Sequence, residues 1–254
     1  MTQPNWAKLR HAVKKYQASG PELKFWWRDD DATEPTPALD RLHRIAQNCA
    51  VPVHLAIIPK HAKPALATEV AQSSILVPLV HGWCHKNHAP PDQKKSEFGT
   101  IRPDAEQDLG IAMNHMQDLF GPRLLPVFVP PWNRIAPECI QMLTLHGYRA
   151  LSTFTPRAEQ YAAPGLLRLN THIDPIDWRG SRDLKDPEQL INETCALLEA
   201  HASGHTDKME PLGYLTHHLV HSQALWEFSY RFISELCDAG ATPRPLAPLL
   251  ETPE

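Results

Sequence analysis

The sequence predicts an α/β protein of one domain, most simply a parallel barrel wrapped in helices. Three observations lead there. Short apolar runs recur seven times, segments with 3.6-residue spacing separate them, and no shift in composition divides the chain. At 254 residues, 42% of them hydrophobic, the chain is long enough for the sizeable core that such a fold needs.

Residues 1–20 read as an amphipathic N-terminal helix and residues 21–254 as the barrel. The expected strands are 23–28, 51–59, 74–81, 124–130, 148–154, 165–173 and 211–218. Each is nearly continuous in apolar residues, as strands buried on both faces of a parallel sheet should be. Helical spacing covers 35–50, with Pro37 in its first turn, where a missing N–H costs little. Four more helical patterns cover 103–121, 135–147, 188–204 and 222–240, and each ends on a glycine, the usual helix stop. The long irregular stretch 88–101 contains Lys94, Lys95 and Glu97 and reads as a lid beside a site.

Composition narrows the function classes. A net charge of −4 provides no electrostatic footprint for nucleic acid. No run approaches the roughly 18 apolar residues of a membrane span, and the N-terminal segment lacks the apolar core of a secretory signal, so a cytoplasmic location is expected. Five scattered cysteines without a CxxC pair argue against a disulfide framework or a zinc knuckle. The 25 prolines fall at segment boundaries, where they stiffen loops.

In α/β barrels the reactive groups belong at the C-terminal ends of strands, and the chemically rich residues here fall there. Asp29, Asp30 and Asp31 close an aromatic strand. Like charges this close repel unless a cation joins them, although such a cluster can also be a solvated turn before a helix. His81 and His85, four apart in HGWCH, can reach one metal. With a neighbouring aspartate they make a His₂Asp site with open positions for water, which suits Zn²⁺ best and Co²⁺, Ni²⁺, Mn²⁺ or Fe²⁺ less exclusively. His88 follows as a loop residue or substrate contact. In LTHHLVH one of His217, His218 and His221 is suited to protonate a leaving group near neutral pH, and Asp174 or Asp177 in DPIDW is available to orient it. Trp132 in PPWNR is placed to stack on a sugar ring or to pack in the core. Cys84 has no paired base and reads as packing.

The ordered set RDDDA, HGWCH, PPWNR, DPIDW and LTHH, running from Arg28 to His217, resembles the polysaccharide deacetylases (NodB-homology, carbohydrate esterase family four). The resemblance implies a distorted (β/α)₇ barrel that uses a divalent metal to remove N-acetyl or O-acetyl groups from sugars. It implies His81 and His85 as ligands, His217 as catalytic acid and Asp177 as its partner. In the first motif the earlier aspartate of a pair is the base and the later one a ligand. We take Asp30 as base and Asp31 as ligand; Asp29 with Asp30 is the other register. Trp132, Asn133, Arg28, Trp83 and His88 are the expected substrate contacts. One departure stands out. The family's arginine before the Pro-Pro turn is Val129 here, so Arg28 or Arg102 is expected to hold the base instead. A small saccharide or related acylated molecule is the expected substrate. A non-sugar linear or cyclic amide is the rival, and a catalytically silent sugar-binding barrel is a second one.

Overall fold

The computed structural model describes residues 4–18, 20 and 22–251. In chain order these form α1 (Trp6–Ala18), β1 (Lys24–Ala32), α2 (Pro37–Cys49), β2 (Val53–Ile57), α3 (Pro64–Gln72) and β3 (Leu76–His81). Next come α4 (Ala105–Phe120), β4 (Val127–Val129), α5 (Pro137–Leu143), β5 (Ala150–Leu151), β6 (Tyr161–Ala163) and β7 (Leu166–Arg168). The chain continues through α6 (Pro187–Ser203), β8 (Leu212–Thr216), α7 (Gln223–Asp238), β9 (Thr242–Pro243) and α8 (Ala247–Leu250). The seven expected strands are β1–β5, β7 and β8. The short β6, β9 and α8 and the nine-residue helix α3 have no counterpart among the expected elements.

Hydrogen-bonded neighbours follow the order β6-β7-β5-β4-β3-β2-β1-β8, all parallel except the β6/β7 hairpin, and β9 joins the start of β1. The ladder does not close. Past β7 the chain crosses the gap through isolated bridges, with Thr171 N–H donating to Thr153 O at 3.0 Å and Leu215 N–H to Ile173 O at 2.8 Å. This opening is the distortion of the barrel.

Alternation along the strands sorts the core into two layers. Trp26, Ala56, Leu79, Val127, Val129, Ala150 and Leu167 fill the barrel interior. Phe25, Trp27, Val53, Leu55, Val80, Phe128 and Leu151 face the helices outside. Helix α1 packs across α6 and α7, burying Leu9, Val13 and Tyr16. Among the described residues no helix is long and apolar enough to cross a membrane.

Candidate metal and catalytic site

The aspartate triplet is sorted by β1 itself. Trp26 faces the interior, so period-2 alternation sends Arg28 and Asp30 inward and Trp27 and Asp29 outward. Asp29 is fully buried in the helix-facing layer. Its carboxylate accepts from the Thr216 hydroxyl at 2.6 Å, from His218 N–H at 3.0 Å and from His218 Nδ1–H. Burial opposes its ionisation, but His218 and Thr216 hold its pKa below the usual range. Asp31 would face outward too if β1 stayed regular. Instead the β1/β2 register shifts between Asp30 and Ala32, and Asp31 adopts φ +77°. This bulge swings Asp31 back to the barrel mouth beside Asp30.

There Asp31 Oδ1 lies 3.2 Å from His81 Nε2 and 3.3 Å from His85 Nε2. His81 Nδ1–H donates to Val129 O at 2.9 Å, which leaves the Nε2 lone pair aimed at the carboxylate. Lone pairs converging on one point repel unless a cation lies between them. These three ligand atoms, all within 4.8 Å of one another, therefore fit a divalent metal by their chemistry. A proton on His81 Nε2 can take the place of that cation, and the electrostatics show that pairing. Burial alone would raise the Asp31 pKa, but the hydrogen bond to His81 and the charges of His81, His217 and His85 hold it far below the carboxylate range. Burial would lower His81, and the bond to Asp31 with the charges of Asp30 and Asp31 lifts it instead. His85 is lowered by burial and by His81.

Asp30 is almost fully buried and held by Arg28 from its own strand. Arg28 Nη2 donates to Asp30 Oδ2 at 3.0 Å and to Asn133 Oδ1 at 2.7 Å. Nε lies 2.9 Å from Oδ1, a charge contact without hydrogen-bond alignment. Nη1 is spent on Ser152 Oγ at 2.7 Å. With no exposed surface and both Nη nitrogens hydrogen-bonded within the fold, Arg28 is not available as a substrate contact. It sits where the resemblance expected the arginine replaced by Val129. Arg102 is elsewhere, paired with Asp104 and Asp108. His217 Nε2 stands 3.9 Å from Asp30 Oδ2.

The expected Asp177–His217 partnership is not formed. Asp177 is a turn residue whose carboxylate accepts from Gly180 and Ser181 N–H, both at 3.0 Å. His217 is steadied by packing instead, with Trp178 edge-on at 4.8 Å, and the Trp178 indole donates to Asp174 Oδ2 at 2.8 Å. Two other expected substrate contacts have partners within the fold. Trp83 packs on the core and lies edge-on to His115 of α4. His88 is tied to the loop by its N–H to Ser96 O at 2.8 Å, and its charge acts on Asp104. Trp132 remains at the mouth, its ring 4.3 Å from that of His85.

Glu97 has the largest role that the sequence did not indicate. Expected on a mobile lid, it is 1% exposed and lies under the HGWCH loop. Its carboxylate accepts from the N–H groups of Trp83 (3.1 Å), Cys84 (2.8 Å) and His85 (3.2 Å), and from the Cys84 thiol. Hydrogen bonds to a charged group contribute about 1.5–3 kcal/mol each, so this one side chain fixes the loop that presents His85. Burial and Glu97 together push the Cys84 thiol up to about 11. A side chain at Gly82 (φ +57°) would place its Cβ 2.2 Å from Glu97 Oε2 and 2.6 Å from the Pro131 ring. Only glycine fits there.

Among the described residues seven non-glycine residues carry positive φ, and Asp31, His85, Trp132 and Asn133 are four of them. Each costs on the order of 1–3 kcal/mol, and such strain gathers where geometry matters more than stability.

No family model matches the chain, and no curated protein matches it by sequence. Solved structures do match. A peptidoglycan N-acetylglucosamine deacetylase superposes with TM-score 0.58 over 92% of this chain and 92% of its own, at 15% identity. A family 4 acetyl xylan esterase from Clostridium thermocellum, in complex with a cobalt ion, has TM-score 0.52 over 89% of both chains at 13% identity. A CE4 family pseudoenzyme from Bacillus anthracis has TM-score 0.57 over 91% of this chain and 66% of its own, also at 13% identity. The chain thus shares, over about 90% of its length, the fold of the carbohydrate esterase family four polysaccharide deacetylases.

Proposed function

We propose that the protein is a metal-dependent deacetylase, a hydrolase of carbon–nitrogen bonds other than peptide bonds, acting on an N-acylated carbohydrate or related small molecule. One observation carries the reading. Asp31 Oδ1, His81 Nε2 and His85 Nε2 converge at the barrel mouth, with Asp30 and His217 beside them. The shared fold supports the substrate class.

Asp31, His81 and His85 would hold the metal, and two imidazoles with one carboxylate suit Zn²⁺ best, with Co²⁺, Ni²⁺, Mn²⁺ or Fe²⁺ as substitutes. Such a metal, when bound, would supply Lewis acidity for an acyl oxygen and would bring the pKa of a water down towards neutrality. Asp30, held in place by Arg28, takes the proton from the attacking water. Asn133 sets the Arg28 fork by accepting from it. His217, opposite Asp30, returns a proton to the departing amine. Trp132, beside His85, offers a face to the sugar ring.

Replacement of the family arginine by Val129 would favour a silent barrel if Asp30 lacked a cation, and Arg28 meets it instead. The test is acetate release from N-acetylated sugars, run beside linear amides, cyclic imides and ureides. Release from the sugars, abolished by a chelator and restored by Zn²⁺, is expected. Turnover of the cyclic substrates alone would replace this reading with the amide rival, and chelator-insensitive release would remove the metal from it.

A further inference from the structure

A cleft of about 610 Å³ is lined by Asn133, Arg134, Thr153 and Arg168, among others. Two of these touch the Arg28 guanidinium directly. Asn133 Oδ1 accepts from Arg28 Nη2 at 2.7 Å, and Thr153 O from Nη1 at 3.3 Å. Asn133 and Thr153 thus join the wall of the cleft to the guanidinium that holds Asp30. The cleft's volume is that of a pocket for a small ligand.

Its lining is cationic. Lys94 from the loop, Arg134 from the PPWNR turn and Arg168 from the end of β7 all face it, and no carboxylate does. Several arginines elsewhere are paired with carboxylates, Arg10 with Glu235, Arg102 with Asp104 and Asp108, and Arg157 with Asp207. Those in the cleft are not. Arg134 spends one nitrogen on Lys95 O at 2.7 Å, and the side chains of Lys94 and Arg168 have no partner among the described residues. Two guanidiniums and an ammonium around one cavity form a site for an oxyanion, which a guanidinium grips with two parallel hydrogen bonds.

We propose that this cleft binds an anionic substituent, a phosphate or a carboxylate, of the same molecule whose acyl group is offered to Asp30 and Asp31. The inference rests on the deacetylase reading and narrows its substrate to acidic acylated sugars. The neutral acyl-bearing ring lies at the mouth beside Trp132, and the charged arm reaches past Asn133 towards Arg134 and Arg168. The acyl group cannot be the part that the cleft takes, because an acetamide carries no charge to satisfy three cations.

The test uses three N-acetylated probes that differ in one substituent: N-acetylglucosamine, its 6-phosphate, and its 3-O-lactyl ether, which carries a carboxylate. Affinity is read by titration calorimetry and acetate release in parallel, so that the cleft and the chemistry are scored separately. At least one anionic probe is expected to bind about 10- to 100-fold tighter than the neutral sugar, the range that one or two charge-assisted bonds supply. A phosphate-only or a carboxylate-only preference identifies which oxyanion is used. The preference should fall to about twofold or less in the Arg134→Gln/Arg168→Gln double variant, and shrink as salt rises towards about 0.5 M. Arg134→Gln also gives up its bond to Lys95 O, so the exposed Lys94→Glu provides a milder variant that should lower the same ratio without disturbing the loop. Equal affinity for all three probes overturns the proposal, as does a preference that survives in the double variant. Anion-selective binding without acetate release keeps the cleft and removes the deacetylase reading. Acetate release without selectivity does the reverse.

Discussion

Two aspartate–histidine constellations lie within three residues of one another on β1, and they differ in almost every physical respect. On the outer side Asp29 meets His218 and Thr216 in the helix-facing layer. The Thr216 hydroxyl also accepts from the Trp27 indole at 2.8 Å, so every oxygen of Asp29 is matched by a donor. On the inner side Asp31 meets His81 and His85 with facing lone pairs, 33% and 24% of the Asp31 and His85 side chains remain exposed, and positive φ is tolerated at both residues. The residue types are the same. What separates a closed structural pair from an open reactive one is the strand face, together with one bulge that moves Asp31 across it.

The largest effect expected from breaking that contrast is at Asp30. Asp30→Asn keeps the shape but removes the proton acceptor, and acetate release should fall by about 10²–10⁴ while metal content stays at the wild-type level. If elemental analysis instead showed Asp30→Ala without metal and Asp31→Ala fully loaded, the roles would have to be exchanged.

On the outer side Asp29→Ala leaves His218 buried and unpaired. Denaturant melts should show a loss of about 3–5 kcal/mol, the usual cost of removing one partner of a buried pair, with metal affinity unchanged in the folded fraction. Metal loss without a change in stability would mean that Asp29 belongs to the reactive site.

The smallest effect expected is at Glu97, which serves the inner constellation from below. Glu97→Gln turns an amide N–H₂ towards backbone N–H donors, and metal affinity should drop about 10- to 100-fold, as it does when the group orienting a ligand is lost. Unchanged affinity would show that His85 is held by other contacts.

Much of this was legible before the structure. The apolar runs located the strands, and strand ends located Asp30, Asp31, His81, His85 and His217. The outward aspartate was in principle legible as well, since alternation from the apolar Trp26 and Trp27 puts Asp29 opposite Asp30. The bulge at Asp31 was not, because backbone register shifts have no residue signature here. Glu97 was hidden for a different reason: it acts on backbone N–H groups 12 to 14 residues away, and backbone donors carry no sequence identity. In DPIDW the proline turn prevailed. Asp177 is used up by the turn, and the aromatic beside it, Trp178, is what reaches His217.

The most direct test of the account is a Zn²⁺ titration by calorimetry of the metal-free wild type, Asp31→Ala and Asp29→Ala. One ion per chain is predicted for the wild type and for folded Asp29→Ala, and none for Asp31→Ala. Tight binding retained in Asp31→Ala, or lost in folded Asp29→Ala, would contradict it.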